Sequence, residues 1–374
     1  MIYIHIPFCK QKCSYCNFHF STSLNFKDEM LAVMKKEIFL RKDELQNKNL
    51  QSLYFGGGTP SILSPDEIKS LIDEVLQYFN FEKDIEITLE ANPDDLDKNF
   101  LKGLSDSPVN RLSIGTQSFF EADLKLMNRA HTANEAEDSI KRSQDFGFEN
   151  LSIDLIYGSP TSNLEIWKEN LNKTIALEVP HISSYALTVE PKTALENWIS
   201  KGKVISPKEE EQNLEFYYLS DFLKDNGFEH YEVSNFAKPG FYSRHNSSYW
   251  KYKEYLGIGP SAHSYNGFDI RSWNVANNQQ YIKKLNSGFV AKEEEILSQK
   301  DQFNEMIMIG LRTTWGVDLN RLHDKFNGEI LEYFQTEIKS KLEEEILIIE
   351  ENHLKIPEKH WFMADGIAAD LFMV

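Results

Sequence analysis

Six short runs rich in β-branched and aromatic residues recur through the first half of the chain, and helically spaced stretches lie between them. The candidate strands are residues 2–6, 52–55, 85–90, 111–115, 151–156 and 182–187. Residues 26–41 carry Met30, Val33, Met34 and Ile38 at i, i+3, i+4 and i+8, which is the apolar stripe of one helix face. Ser64-Pro65-Asp66-Glu67 opens another helix with an N-cap serine and proline at the first helical position. Residues 134–146 and 164–175 are further helical candidates. Alternation of this kind, at roughly 30–40 residues per βα unit, predicts an α/β fold with a parallel sheet and helices outside it. Periodicity alone leaves open a doubly wound sheet or a barrel. In a barrel the site forms at the C-terminal strand ends, and polar residues do follow several of these strands.

The second half reads differently. Residues 208–226 form a helix ended by Gly227, and 228–265 read as an irregular, packed region rich in aromatics, Gly and Pro. Residues 302–312, 319–326 and 330–345 are helical, 346–356 form a hairpin turning at Glu351-Asn352, and 364–372 close the chain as a helix. Helices, a hairpin and a last helix predict a small, mainly helical, winged-helix-like domain. The expected division is a core at 1–235, a connecting segment at 236–290 and a C-terminal domain at 291–374, with the boundary within 287–299. Lys and Arg total 40 against 58 Asp and Glu, a net charge of −18, which argues against nucleic acid and anionic membrane surfaces as partners. No basic-then-apolar signal opens the chain, and no apolar run approaches the ~20 residues that span a bilayer. The expected location is a reducing cytoplasm.

All three cysteines fall in one span after the first strand: Cys9, Cys13 and Cys16, a C-x3-C-x2-C loop. Clustered soft thiolates select an iron–sulfur cluster, zinc or copper(I). Three donors leave one coordination position open. A closed zinc site needs a fourth, and His19 would complete C-x3-C-x2-C-x2-H, although such sites usually draw ligand pairs from separate segments.

The loop and its position resemble those of the radical S-adenosylmethionine enzymes. That resemblance implies a partial (β/α)6 TIM-like barrel and a 4Fe-4S cluster held by Cys9, Cys13 and Cys16. The fourth iron would be chelated by S-adenosyl-L-methionine, which an electron from the cluster cleaves to a 5′-deoxyadenosyl radical. The segment Tyr3-Ile-His-Ile-Pro-Phe-Cys9 is more specific. It resembles the oxygen-independent coproporphyrinogen III dehydrogenases and their heme-chaperone relatives, and further matches extend to about residue 265. Gly56-Gly57-Gly58-Thr59-Pro60 follows the second strand; glycines let backbone approach a ligand and expose N–H groups. The family resemblance gives Gly57, Gly58 and Thr59 contacts to the S-adenosylmethionine amino group. It adds Tyr3, Tyr15, Glu90, Gln117, Arg129 and Asp154 as cofactor neighbours. Arg129 has the fork that suits a carboxylate. Asp154 sits inside an apolar strand, where a charge is costly unless partnered.

Departures separate the two branches. In the dehydrogenase the loop continues to a fourth cysteine, where this chain has Phe18, and an N-terminal extension precedes a first strand on which this chain opens. The stretch His245-Asn246-Ser-Ser-Tyr249-Trp250 matches H-N-x-x-Y-W of the chaperone branch. The resemblance makes His245 a candidate heme ligand, since imidazole commonly holds heme iron. Phe241, Tyr242 and Tyr252 stand nearby as flat apolar surface, and His263 is a second candidate. The expectation is a heme chaperone that hands heme to an acceptor such as a respiratory hemoprotein, acting as a monomer or a cluster-dependent dimer. No residue is assigned a catalytic role. The alternatives are oxidative decarboxylation of coproporphyrinogen III to protoporphyrinogen IX, and a zinc-stabilised binding protein.

Overall fold

The six expected strands form in order: Ile2–Ile6 (β1), Asn49–Gly57 (β2), Asn80–Ala91 (β3), Arg111–Gln117 (β4), Leu151–Tyr157 (β5) and His181–Ala186 (β6). Between them run Lys27–Leu40 (α1), Pro65–Leu76 (α2), Lys98–Ser105 (α3), Glu121–Leu126 (α4), Ala133–Asp145 (α5) and Leu164–Ala176 (α6). The computed structural model describes residues 1–374. Ser64 and Thr132 close capping boxes on Glu67 and Glu135, so α2 and α5 begin where side chains satisfy the free N–H groups.

Strand order decides between the two architectures left open by periodicity. Each of β2 to β6 pairs in parallel with its predecessor, always on the same side. Right-handed crossovers in one direction place every helix on one face and curl the sheet; a doubly wound sheet would reverse direction at a switch point. The curl does not close. Leu256–Ile258 (β9) pairs in parallel with β1, while Glu229–Glu232 (β7) and Asn235–Ala237 (β8) extend the β6 edge in antiparallel. The fold is a partial (β/α)6 barrel. A short helix, Ala194–Ser200 (α7), and a long one, Glu209–Asp225 (α8), connect β6 to β7.

The pleat sorts side chains by chemistry. Ile2, Ile4, Ile6, Leu53, Phe55, Ile87 and Leu89 are buried against the helices. The alternate positions Tyr3, His5, Ser52, Tyr54, Glu86, Thr88 and Glu90 line the concave face, as a period of two requires. The barrel interior is therefore polar from one end to the other.

The region expected to be irregular, 228–265, is instead ordered. It supplies β7, β8, β9, a helix at Arg244–Trp250 (α9) and a strand at His263–Tyr265 (β10). The last joins Ile270–Asn274 (β11) and Lys292–Ile296 (β12) in a second sheet. Several of these strands are three or four residues long, too short for a period to show. The α9 helix packs at the lower end of the barrel, where the Arg244 and His245 N–H groups donate to the Glu86 carboxylate at 3.0 and 2.9 Å. Asn278–Asn286 (α10) then packs on α1.

The C-terminal part carries Gln299–Leu311 (α11), Leu319–Lys325 (α12) and Glu329–Glu343 (α13), with a small sheet of Val317–Asp318 (β13), Ile348–Glu350 (β14) and His353–Lys355 (β15). The hairpin turns at Glu351 and Asn352, both left-handed at φ +48° and +64°, the pair a tight two-residue hairpin needs. The expected closing helix is shorter, Ala364–Ala369 (α14), preceded by a 3-10 turn at Glu358–Met363. No helix is long and apolar enough to cross a membrane.

Candidate cofactor site at the barrel mouth

A cavity of about 520 Å³ opens at the C-terminal strand ends. Cys9, Cys13, Cys16, Tyr15, Gly57, Gly58, Thr59, Glu90, Gln117, Arg129 and Asp154 all line it. Of the cluster and S-adenosylmethionine residues expected from sequence, only Tyr3 is not among them.

The cysteine loop is fastened mainly by backbone. Cys9 N–H donates to Ser21 O at 3.0 Å, and Ser21 N–H donates to Pro7 O at 2.9 Å. Ser14 ties the far side, through its N–H to Met127 O at 3.0 Å and its hydroxyl to Leu126 O at 2.7 Å. The glycine stretch lies hard against the end of β1. Gly58 N–H donates to Ile6 O and Thr59 N–H to Phe8 O, at 2.8 and 2.7 Å. A Cβ on Gly58 would stand 2.5 Å from Phe8 O, so only glycine allows the approach. These N–H groups are spent inside the protein. The expected exposure of N–H groups is therefore not found at Gly58 and Thr59.

Gln117 ends β4 in the left-handed region at φ +65°, beside a register shift between Ile114 and Gln117. A non-glycine residue held there stores of order 1 kcal/mol or more of strain, which surrounding structure must sustain. Arg129 is anchored by three contacts: Nη1 donates to Cys13 Sγ at 3.3 Å, and Nη2 donates to Asn92 Oδ1 at 2.6 Å and Gly115 O at 2.8 Å. Its Nε is buried without a partner. Asn92 also reaches Thr59 Oγ1, at 3.4 Å, and so links the glycine stretch to Arg129. Sequence reasoning missed Asn92, whose only signal was Asn-Pro just after Glu90-Ala91. It also missed Tyr185, which lines the cavity, and Tyr54, whose hydroxyl donates to Glu90 at 2.8 Å.

Burial pushes the Glu90 carboxyl up to about 7 and Asp154 up to about 6, although Tyr54 and Ser113 donate to them. Two desolvated acids beside a single guanidinium favour a ligand that brings positive charge. Burial likewise pushes the Cys9 thiol up to about 11 and raises Cys16. A metal centre is what would hold these sulfurs as thiolates. The three thiols share one cavity without being drawn together as donors to a single ion are. Corners of an iron–sulfur cube stand farther apart than sulfurs on one zinc with ~2.3 Å bonds. The donor set thus fits a cluster, and the acid pair fits a cationic nucleotide such as S-adenosylmethionine.

The raised Glu90 value has a measurable consequence. The folded protein binds this proton more tightly than the unfolded chain, so the contribution of Glu90 to stability is greatest at low pH. It falls as pH rises from the ordinary glutamate value of 4.5 through about 7. Glu90→Gln should therefore stabilise the cofactor-free protein at pH 8 and flatten this fall, read as urea midpoints at pH 5 and pH 8. An unchanged pH profile would refute the assignment.

Tyr3 lies one layer below, its ring stacked on Tyr54 at 6.0 Å and its hydroxyl 3.3 Å from His5 Nδ1. His245 is deeper still, 1% exposed. Its Nδ1 is 2.9 Å from Ser52 Oγ and its Nε2 3.0 Å from Tyr249 OH, and burial lowers it to about 3. Nδ1 thus ties α9 to β2 while Nε2 is bonded within α9, and neither nitrogen is open to an iron. His263 is exposed on β10, its ring 6.1 Å from that of Trp273. His19 turns away from the thiols into a neighbouring cavity and meets Asn278, so the C-x3-C-x2-C-x2-H zinc set is not assembled. Phe18 is 69% exposed at the cavity rim.

Comparison with known proteins agrees with this geometry. The profile described as the radical SAM superfamily matches residues 3–173, and that of the HemN C-terminal domain matches 297–363. The chain is 34% identical over 365 residues to the heme chaperone HemW of Lactococcus lactis subsp. lactis (strain IL1403), covering 98% of this chain and 95% of that protein. It is 34% identical over 348 residues to heme chaperone HemW of Bacillus subtilis (strain 168), covering 92% of each. The solved structure of coproporphyrinogen III oxidase (HemN) from Escherichia coli, a radical SAM enzyme, superposes with a TM-score of 0.85 at 22% identity, over 100% of this chain and 89% of that one. At that identity the likeness speaks for the fold. With a barrel of this topology, a mouth lined by the expected thiols and near-full-length similarity to those relatives, the chain belongs to the HemW heme-chaperone family of the radical SAM superfamily.

Proposed function

We propose that the protein binds heme and passes it to an acceptor hemoprotein, with a 4Fe-4S cluster and S-adenosyl-L-methionine held at the barrel mouth. The observation that carries this reading is the similarity over 98% of the chain to a heme chaperone, joined to a cavity that gathers all three cysteines with the expected cofactor residues. When bound, the cluster and nucleotide together supply one-electron chemistry at an iron the protein does not ligate. The chain's own part is binding and shielding. Cys9, Cys13 and Cys16 would hold iron; Gly57, Gly58 and Thr59 meet the amino group; Arg129 meets a carboxylate; Glu90 and Asp154 balance positive charge. Tyr15 and Gln117 flank the nucleotide.

The test is to titrate the anaerobically reconstituted protein with heme, then offer the complex to an apo-hemoprotein, with coproporphyrinogen III supplied in a parallel reaction. The expected results are a stoichiometric heme spectrum, heme appearing on the acceptor and no protoporphyrinogen. Protoporphyrinogen formed with S-adenosylmethionine and reductant would establish the dehydrogenase reading instead. An absent heme spectrum would end the chaperone reading.

A further inference from the structure

Arg129 is the only guanidinium among the residues that line the cofactor cavity. Its Nη1–H donates to Cys13 Sγ at 3.3 Å, so a fixed positive charge points at one of the three thiols. Nη2 donates to Asn92 Oδ1 at 2.6 Å and to Gly115 O at 2.8 Å. A guanidinium can grip a carboxylate at two points along either of two edges, and both edges include Nη2. That two-point grip is closed here, which leaves the unpartnered Nε–H for a ligand. The strongest directional contact Arg129 offers the cavity is therefore the one to sulfur.

Asn92 holds the guanidinium in this orientation. It precedes Pro93, which confines it to extended backbone, at φ −86° and ψ 145°. Its N–H donates to Ser61 Oγ at 3.1 Å and its Nδ2–H to Thr59 Oγ1 at 3.4 Å. With Nδ2 turned to Thr59, Oδ1 faces Arg129. Gly115 leaves room for the guanidinium, since a Cβ there would stand 3.1 Å from Nη2.

We propose that Arg129, aimed by Asn92, donates an N–H···S hydrogen bond to Cys13 that raises the reduction potential of the bound cluster, with Asn92 as the positioning residue. Reduction by one electron adds one negative charge to the cluster and its thiolates. A hydrogen bond from a cation to sulfur stabilises that added charge, and hydrogen bonds to the sulfurs are among the factors that set such potentials. A thiolate also accepts more strongly than a thiol, so the contact strengthens when metal binds. The proposal rests on the cluster reading of the cysteine loop and adds which residues set its redox behaviour.

The experiment is a mediated redox titration of the anaerobically reconstituted full chain, followed by electron paramagnetic resonance of the reduced cluster. S-adenosylmethionine is left out, which removes any effect of Arg129 on its carboxylate. The wild type is compared with Asn92→Leu, Asn92→Ala and Arg129→Lys, and iron content is measured for each. At the wild-type midpoint, both Asn92 variants should show a reduced-to-oxidised ratio about tenfold lower, a fall of ~59 mV for one electron. Arg129→Lys keeps the charge and loses the fork, and its potential should fall in the same direction. Full iron content with the wild-type potential in all of these variants would overturn the proposal. A fall in Arg129→Lys alone would overturn the role of Asn92. If Asn92→Leu takes up no iron, Asn92→Ala decides by the same criterion. Loss of iron in every variant would also overturn it, leaving these contacts as support for the loop only. A wild type without a cluster would overturn it together with the cofactor part of the function reading, whereas a cluster-loaded wild type that binds no heme would overturn the heme reading alone.

Discussion

Serine in place of any one of Cys9, Cys13 or Cys16 is expected to leave the chain unable to keep an iron–sulfur cluster. The hydroxyl is a hard, weakly acidic donor where the metal selects soft thiolate. With only three cysteines in the chain, no other thiol can substitute. Iron after anaerobic reconstitution and desalting should fall from about four per chain to well below one. The brown absorbance should disappear with it. Folding should survive, because the loop is held by backbone bonds from Cys9 to Ser21 and from Ser14 to Met127 rather than by metal alone. The thermal midpoint of the cofactor-free variant should thus match that of the cofactor-free parent. Full iron content in each single variant would show that the cluster, if present, is held elsewhere.

Glu37→Ala is expected to cause the largest loss of stability. Glu37 and Arg41 on α1 are 0% and 1% exposed, and form an ion pair at 3.0 Å. The Glu37 carboxylate also accepts from Gly259 N–H at 2.9 Å, Asn274 Nδ2 at 2.7 Å and the Tyr281 hydroxyl. Arg41 in turn donates to Gly257 O at 2.8 Å and Ser264 Oγ at 3.0 Å. The pair therefore joins α1 to β9, β10, β11 and α10. Removing the acid leaves the buried guanidinium with only the half-exposed Glu44 as counter-charge and strands three donors. Breaking one side of a buried pair costs about 3–5 kcal/mol. That is a large share of the ~5–15 kcal/mol a domain holds in reserve. The urea midpoint of Glu37→Ala should drop accordingly. Glu37→Gln should fall between, since it keeps an acceptor and loses the charge. An unfolding free energy within about 0.5 kcal/mol of wild type, the scale of surface substitutions, would show that solvent reaches the network.

The core barrel was legible because its signals are local. Period-two and helical spacing place β1 to β6 to within about five residues and mark α1, α2, α5 and α6, with the Ser64 N-cap at the start of α2 as expected, but not the short α3 and α4. The thiol trio was legible because soft donors at such short spacing have few other uses. Local pattern failed in 228–265, where strands three or four residues long depend on a neighbouring edge rather than on their own periodicity. His245 shows the same limit in a single residue. A histidine among aromatics reads as an available ligand, whereas its nitrogens are taken by Ser52, 193 positions away, and by Tyr249.

From the sequence alone came the α/β class, the winged-helix-like ending, the three thiols and the set of polar residues at the strand ends. Those follow from residue type and spacing, which the chain carries along its length. Tertiary structure alone decided that β9 takes the free edge of β1, that Asn92 holds Arg129, and that His19 points away from the thiols. Each depends on which distant segment a backbone edge or a side chain meets, and such long-range pairing is set by packing of the whole rather than by any one stretch.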